Sequence, residues 1–109
     1  MIHLKVGGET VITSEGIQEI AQSILDLVDY VEVQMKTGTK ELQLYRTSID
    51  VDTLKVFIML DDTVVGDIQN IKLIGKSGKV LLENPQEIIK NETKGLLVVF
   101  SIKVMEVAE

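Results

Sequence analysis

The first clear period along the chain is helical. Ile17, Ile20, Ala21, Ile24, Leu27, Val28 and Val31 recur at steps of three and four, and Glu15, Gln18, Glu19, Gln22, Ser23 and Asp26 fill the positions between them. This spacing predicts one amphipathic helix over residues 14–28. Thr13 or Ser14 can cap it by accepting from an amide that has no partner inside the helix, and Glu15 suits the positive end of the dipole. Asp26 and Asp29 stand against the dipole at the other end, a mild electrostatic misfit of the kind found at some contact points.

Elsewhere the pattern is that of strands and short turns. Residues 2–6 and 9–13 flank Gly7-Gly8 and predict a first hairpin. After the helix, strands are expected at 30–35 and 41–47 around a turn at 36–40. Leu54, Val56, Ile58 and Leu60 alternate with Lys55, Phe57 and Met59, so residues 54–60 are apolar on most of both faces and predict a central strand. Residues 61–67 turn the chain. Ser77-Gly78 predicts a hairpin between 68–76 and 79–83, and Asn84-Pro85 predicts a break, leaving 86–92 as a loop or short helical turn. The run Leu96-Leu97-Val98-Val99-Phe100 predicts a strand buried on both faces that continues to 107. The expected class is α+β: a mostly antiparallel sheet or small β-sandwich, paired antiparallel throughout, with one helix in the N-terminal half.

Length and composition narrow the possibilities. One domain is expected from 109 residues, and 45% hydrophobic content can supply its core. Aromatic residues make up only 4%, with no Trp, so stacking platforms for bases or sugars are scarce. There is no Cys, which removes disulfides, thiolate metal sites and a Cys nucleophile together. The start of the chain lacks the basic and then apolar order of a signal peptide, and no apolar run reaches membrane-spanning length, so the chain is expected to stay in the cytoplasm where it is made unless a larger particle carries it out.

Charge is unevenly placed. Residues 6–35 carry six acids and no base, whereas residues 36–109 are nearly balanced at ten bases and eleven acids. Such an acidic first third would repel phosphate backbones and anionic membranes, so neither is an expected partner. Glu15, Glu19 and Asp26 on the helix can instead face a basic protein or simply be solvated.

The chemical motifs are weak when weighed residue by residue. Gly75-Lys76-Ser77 resembles part of a phosphate loop, but Asn70 stands where the first Gly belongs and a strand follows in place of a helix. Asp50-Val51-Asp52-Thr53-Leu54 approaches the start of aspartate-nucleophile phosphatases, yet its fifth residue is wrong and no parallel sheet delivers it. Asp50, Asp52, Asp61, Asp62 and Asp67 can share a calcium ion only if their two loops lie at one end of the sheet, and ordinary turn chemistry is the expected role. His3 is the only histidine and is expected at a surface or edge, and Asn91-Glu92-Thr93 reads as a polar loop. No catalytic set, metal or cofactor is expected.

Two stretches carry a family resemblance. Ile12-Thr13-Ser14-Glu15-Gly16-Ile17 followed by Ile20-Ala21 resembles the opening of tail-fibre-type proteins of bacteriophages. Residues 71–80 and Lys94-Gly95-Leu96-Leu97-Val98-Val99-Phe100 resemble small proteins from the tail modules of Gram-positive phages and prophages. The resemblance implies a structural, non-enzymatic role through contacts with other subunits. With the chain ending at Glu109 rather than running into a shaft, it implies a short adaptor or accessory piece. A small binding or regulatory module using the acidic helix face is the alternative.

Edge logic adds one further expectation. Pro85 and the lysines at 72, 76 and 79 can blunt one sheet edge, while the first hairpin, with Val11 on it, has no such protection and is the expected site of homo-oligomer pairing.

Overall fold

The computed structural model describes residues 2–5, 11–91 and 93–107, with residues 2–5 and 106–107 described by their backbone pairing alone. Eight strands and one helix follow in the order β1 (Ile2–Lys5), α1 (Ser14–Leu27), β2 (Val28–Met35), β3 (Gly38–Leu42), β4 (Arg46–Asp50), β5 (Thr53–Leu60), β6 (Gly66–Gly75), β7 (Val80–Lys90) and β8 (Leu96–Val107). They form two four-stranded sheets, ordered β1-β8-β5-β4 and β3-β2-β6-β7. The class is α+β and mostly β.

Helix α1 starts where its cap allows. Thr13 has extended backbone, and its hydroxyl oxygen accepts from the Gly16 amide at 3.0 Å. At the other end the amides of Val28 and Lys76 bond to the carbonyls of Leu25 and Leu27, so the β6–β7 hairpin closes carbonyls that the helix leaves open. Ala21 is fully buried, and Ile17, Ile20, Ile24 and Leu25 pack with it on Leu54, Ile102 and Val104.

The sheets meet over the rest of the molecule. Val31 and Val33 of β2 and Ile68, Ile71 and Leu73 of β6 pack against Val56, Ile58 and Leu60 of β5. Each such side chain contributes about 1.5–3 kcal/mol when buried. The first sheet is therefore covered by helix at one end and by the second sheet at the other, which makes a long body of 53 × 22 × 21 Å. Its radius of gyration is 16.3 Å, above the roughly 13 Å of a compact chain this long.

Several expectations are corrected. The first hairpin is not present among the described residues: β1 pairs in parallel with the far end of β8, from Ile2 opposite Val104 to Lys5 opposite Val107, and Val11, Ile12 and Thr13 are not in a strand. Gly7-Gly8 lies outside the described residues. Pairing is thus not antiparallel throughout, although β2 to β8 pair with one another only in that sense. The expected strand 41–47 is two strands, β3 and β4, that belong to different sheets. Pro85 breaks nothing: β7 runs through it to Lys90, because β7 is an edge strand and a bulge sets Gln86 and Glu87 against Gln69 alone. The strand start at 96–100 is not buried on both faces, since Leu97 and Val99 point outward at 46% and 44% exposure.

Candidate functional site

The outer face of the first sheet is built by cross-strand pairs. Phe57 lies opposite Arg46 on one side and Val99 on the other, and Met59 lies opposite Leu97. These four apolar side chains share the face away from the core. Arg46 sets its guanidinium over the Phe57 ring at 4.3 Å from the centroid, a cation–π contact that leaves the charge in solvent. Lys55 and Lys103 extend from the same face, and Lys103 reaches Asp52 at 3.9 Å. The result is an apolar strip with a basic border.

The outer face of the second sheet differs in kind. Glu41, Glu32, Lys72 and Glu83 form one row across four strands, in which each neighbouring pair is in register. Partial burial raises the pKa of the Tyr30 phenol, and the carboxylates of Glu41, Glu32 and Asp29 raise it further. Lys72 therefore stands in a central strand between two glutamates and guards no edge.

The edge of β8 completes the site. Phe57 turns its carbonyl toward the β4 side, where it accepts from the Tyr45 amide at 2.9 Å. Backbone groups alternate sides along an antiparallel strand. Phe57 and Val99 thus form a non-hydrogen-bonded pair, and the amides and carbonyls of Leu97, Val99 and Ser101 point away from β5. The Val104 amide, bonded to the Asp52 carbonyl at 2.8 Å, has the alternation expected of an even-numbered residue. On the outward side β1 begins only at Val104, so among the described residues nothing pairs with β8 from Leu96 to Ile102.

The other candidates are placed as follows. Glu15, Glu19 and Asp26 are exposed on α1, where Asp26 accepts from the Gln22 side-chain amide at 2.9 Å. Val11 is 74% exposed and lies outside any strand, so the edge expected around it is not present among the described residues. The aspartate loops stand at opposite ends of β5, one at the β4–β5 turn and one after Leu60, about 25 Å apart along the strand. They cannot share an ion. The carboxylate of Asp61 accepts from the Thr63 amide and hydroxyl at 2.9 and 2.6 Å. These bonds lower its pKa, with a smaller contribution from Lys40 and Lys90. In the 75–79 hairpin, Gly75 and Gly78 bond to Lys79 and Gly75 carbonyls, and Lys76 bonds to Leu27, so those amides face the protein and not a phosphate. The side chain of His3 lies outside the described residues.

Sequence reasoning missed Lys90. It is buried, and its ammonium donates to the carbonyls of Asp61 and Asn91, while Lys40 donates to the Thr63 carbonyl at 2.6 Å. Lysines from both edge strands of the second sheet thus hold the crossover that links the sheets. Two shallow clefts of about 200 and 180 Å³ share Ile88 and Ile89 beside this region. Among the described residues no three His, Asp or Glu side chains converge as metal ligands would, and no helix is long and apolar enough to cross a membrane. No protein-family model matches the chain, and no curated protein or solved structure matches it.

Proposed function

We propose that the chain is a non-enzymatic assembly component that holds another protein subunit on the outer face of its first sheet. The observation that supports this is the apolar strip of Phe57, Met59, Leu97 and Val99 bordered by Arg46, Lys55 and Lys103. Apolar side chains gathered on one exposed face, with polar groups around them, have the anatomy of a protein contact. The border states the partner's chemistry: an apolar surface rimmed by carboxylates, which the basic residues would steer and orient. The resemblance to phage tail-module proteins supplies the setting, a tail or tail-associated particle in which the chain is one subunit among others.

Reversing the border charge tests this without touching the core. An Arg46→Glu, Lys55→Glu double variant is produced in the native host beside the unaltered chain, and both are followed through gradient fractionation of large assemblies. The unaltered chain is expected to sediment with particles, and the variant to stay in the slow fractions at an unchanged melting temperature. Equal incorporation of the two, or an unaltered chain found only as free protein, would refute the proposal.

A further inference from the structure

The edge of β8 has a second property, separate from the face beside it. From Leu96 to Ile102 the strand has no charge, no proline and no glycine, and its backbone groups at Leu97, Val99 and Ser101 point outward. Proteins usually blunt such an edge. The other edges of this molecule are blunted: β7 has Pro85 and a bulge, β3 and β4 are short, and both carry charged residues, Lys40 and Glu41 in one, Arg46 and Asp50 in the other. Among the described residues, β8 is covered on this side only at its last residues, by β1.

We propose that β8 pairs antiparallel with β8 of a second copy, around a two-fold axis through Val99. The outward-pointing residues fix the register. With Val99 opposite its own copy, Leu97 falls opposite Ser101 and Ser101 opposite Leu97, so every outward amide and carbonyl in the stretch meets a partner. Shifting the strands by one residue would set outward groups against inward ones. On the core side the same register places Val98 against Phe100 and Leu96 against Ile102, apolar on apolar; Leu96, Val98 and Phe100 are only partly buried in one chain, whereas Ile102 already belongs to its core.

Charge selects this occupant over an acidic or basic peptide strand. The strand offers no ion-pair partner, and a second copy brings none. The acidic helices do not meet either. Each packs at the Leu54 and Val104 end of its sheet, and antiparallel pairing sends the two ends apart. Ile102 and its copy would be separated by six residues of strand, about 20 Å, well beyond the roughly 8 Å screening length at physiological salt. The joined sheet would have eight strands and an enlarged apolar strip on its outer face. Pairing is independent of whatever subunit docks on that face.

Crosslinking reads the register directly, because the chain has no cysteine of its own. In a Val99→Cys variant the two thiols sit on the axis, with Cα atoms about 5.5 Å apart, within disulfide reach. In a Leu97→Cys variant the equivalent thiols lie about 13 Å apart along the strand and are out of reach. Mild oxidation at submillimolar protein is expected to give covalent dimer with the first and monomer with the second. Ser101→Pro removes one outward amide on an edge where proline is tolerated, and leaves the apolar face intact. It is expected to turn a concentration-dependent dimer into a monomer in sedimentation experiments, with the border-charge result above unchanged. Equal crosslinking at both positions, or an unaltered chain that sediments as a monomer up to submillimolar concentration, would overturn the proposal. Undiminished particle incorporation of the Arg46→Glu, Lys55→Glu variant, with dimerisation intact, would sink the facial contact instead.

Discussion

β7 and β8 are neighbours in the chain, lie on the same side of the sandwich, one in each sheet, and have nearly equal lengths of 11 and 12 residues. Their edges are treated in opposite ways. β7 carries Glu83, Pro85, Glu87 and Lys90, and a bulge twists it away from any incoming strand. β8 presents Leu96 to Ile102 with neither charge nor proline. An edge strand of this length can be made to stand alone, and the same chain shows how. The bare edge of β8 is therefore a feature to be explained and not the general state of a small sheet.

Lys90 offers the largest way to disturb this contrast, because it anchors the end of β7. Its buried ammonium satisfies two carbonyls, including that of Asp61 in the crossover. Lys90→Met keeps the aliphatic volume and leaves those carbonyls unbonded. It is expected to destabilise the chain by about 2 kcal/mol in urea unfolding, the loss typical of a buried hydrogen-bonded charge. A change below about 0.5 kcal/mol would mean that water takes over the role.

Pro85→Val removes the device that marks β7 as solitary. Stability is expected to change by no more than about 0.5 kcal/mol, since the residue is exposed on an edge. Self-association in Ser101→Pro, where β8 is blocked, is expected to return weakly when Pro85→Val is added. A double variant that remains monomeric would show that the bulge alone protects β7.

Acid acts on the crossover that both sheets share, and its effect is the smallest. The pKa of Asp61 is held below the usual carboxylate value in the folded state, chiefly by the Thr63 bonds. A depressed folded pKa gives stability that is fully present above the unfolded value, near 4, and is lost as pH falls through the folded one. Asp61→Asn is therefore expected to lower stability at neutral pH and to flatten the acid limb of the stability curve. Parallel acid limbs in the two proteins would assign that slope to other carboxylates.

What was legible in the sequence follows the reach of each signal. The helix announced itself through its period and Thr13, and β5 through Leu54, Val56, Ile58 and Leu60, because both patterns are local. Pairing of β1 with β8 joins residues a hundred positions apart, and no local pattern encodes it. Asn84-Pro85 suggested a break because proline restricts the residue before it, but that restriction favours extended backbone, and an edge strand beside a bulge accommodates both residues. The sharpest misreading concerned the contact surface itself. Phe57, Met59, Leu97 and Val99 make their strands apolar on both faces, which implies double burial when each strand is read alone. Set in register across β5 and β8, the same residues form one outward strip, half-buried at Phe57 and Met59 and exposed at Leu97 and Val99. Nothing in the sequence marks which of the two faces receives a cover from its own chain.

Amide exchange along β8 at increasing protein concentration tests the bare edge most directly. The amides of Val98 and Phe100 point toward β5 and serve as an internal reference for folding. Those of Leu97, Val99 and Ser101 are expected to exchange rapidly in dilute solution and to slow together as concentration rises, while Ser101→Pro abolishes the slowing at Leu97 and Val99. If the outward amides exchange rapidly at every concentration, or are already protected in the dilute monomer, the edge of β8 is not where two copies meet.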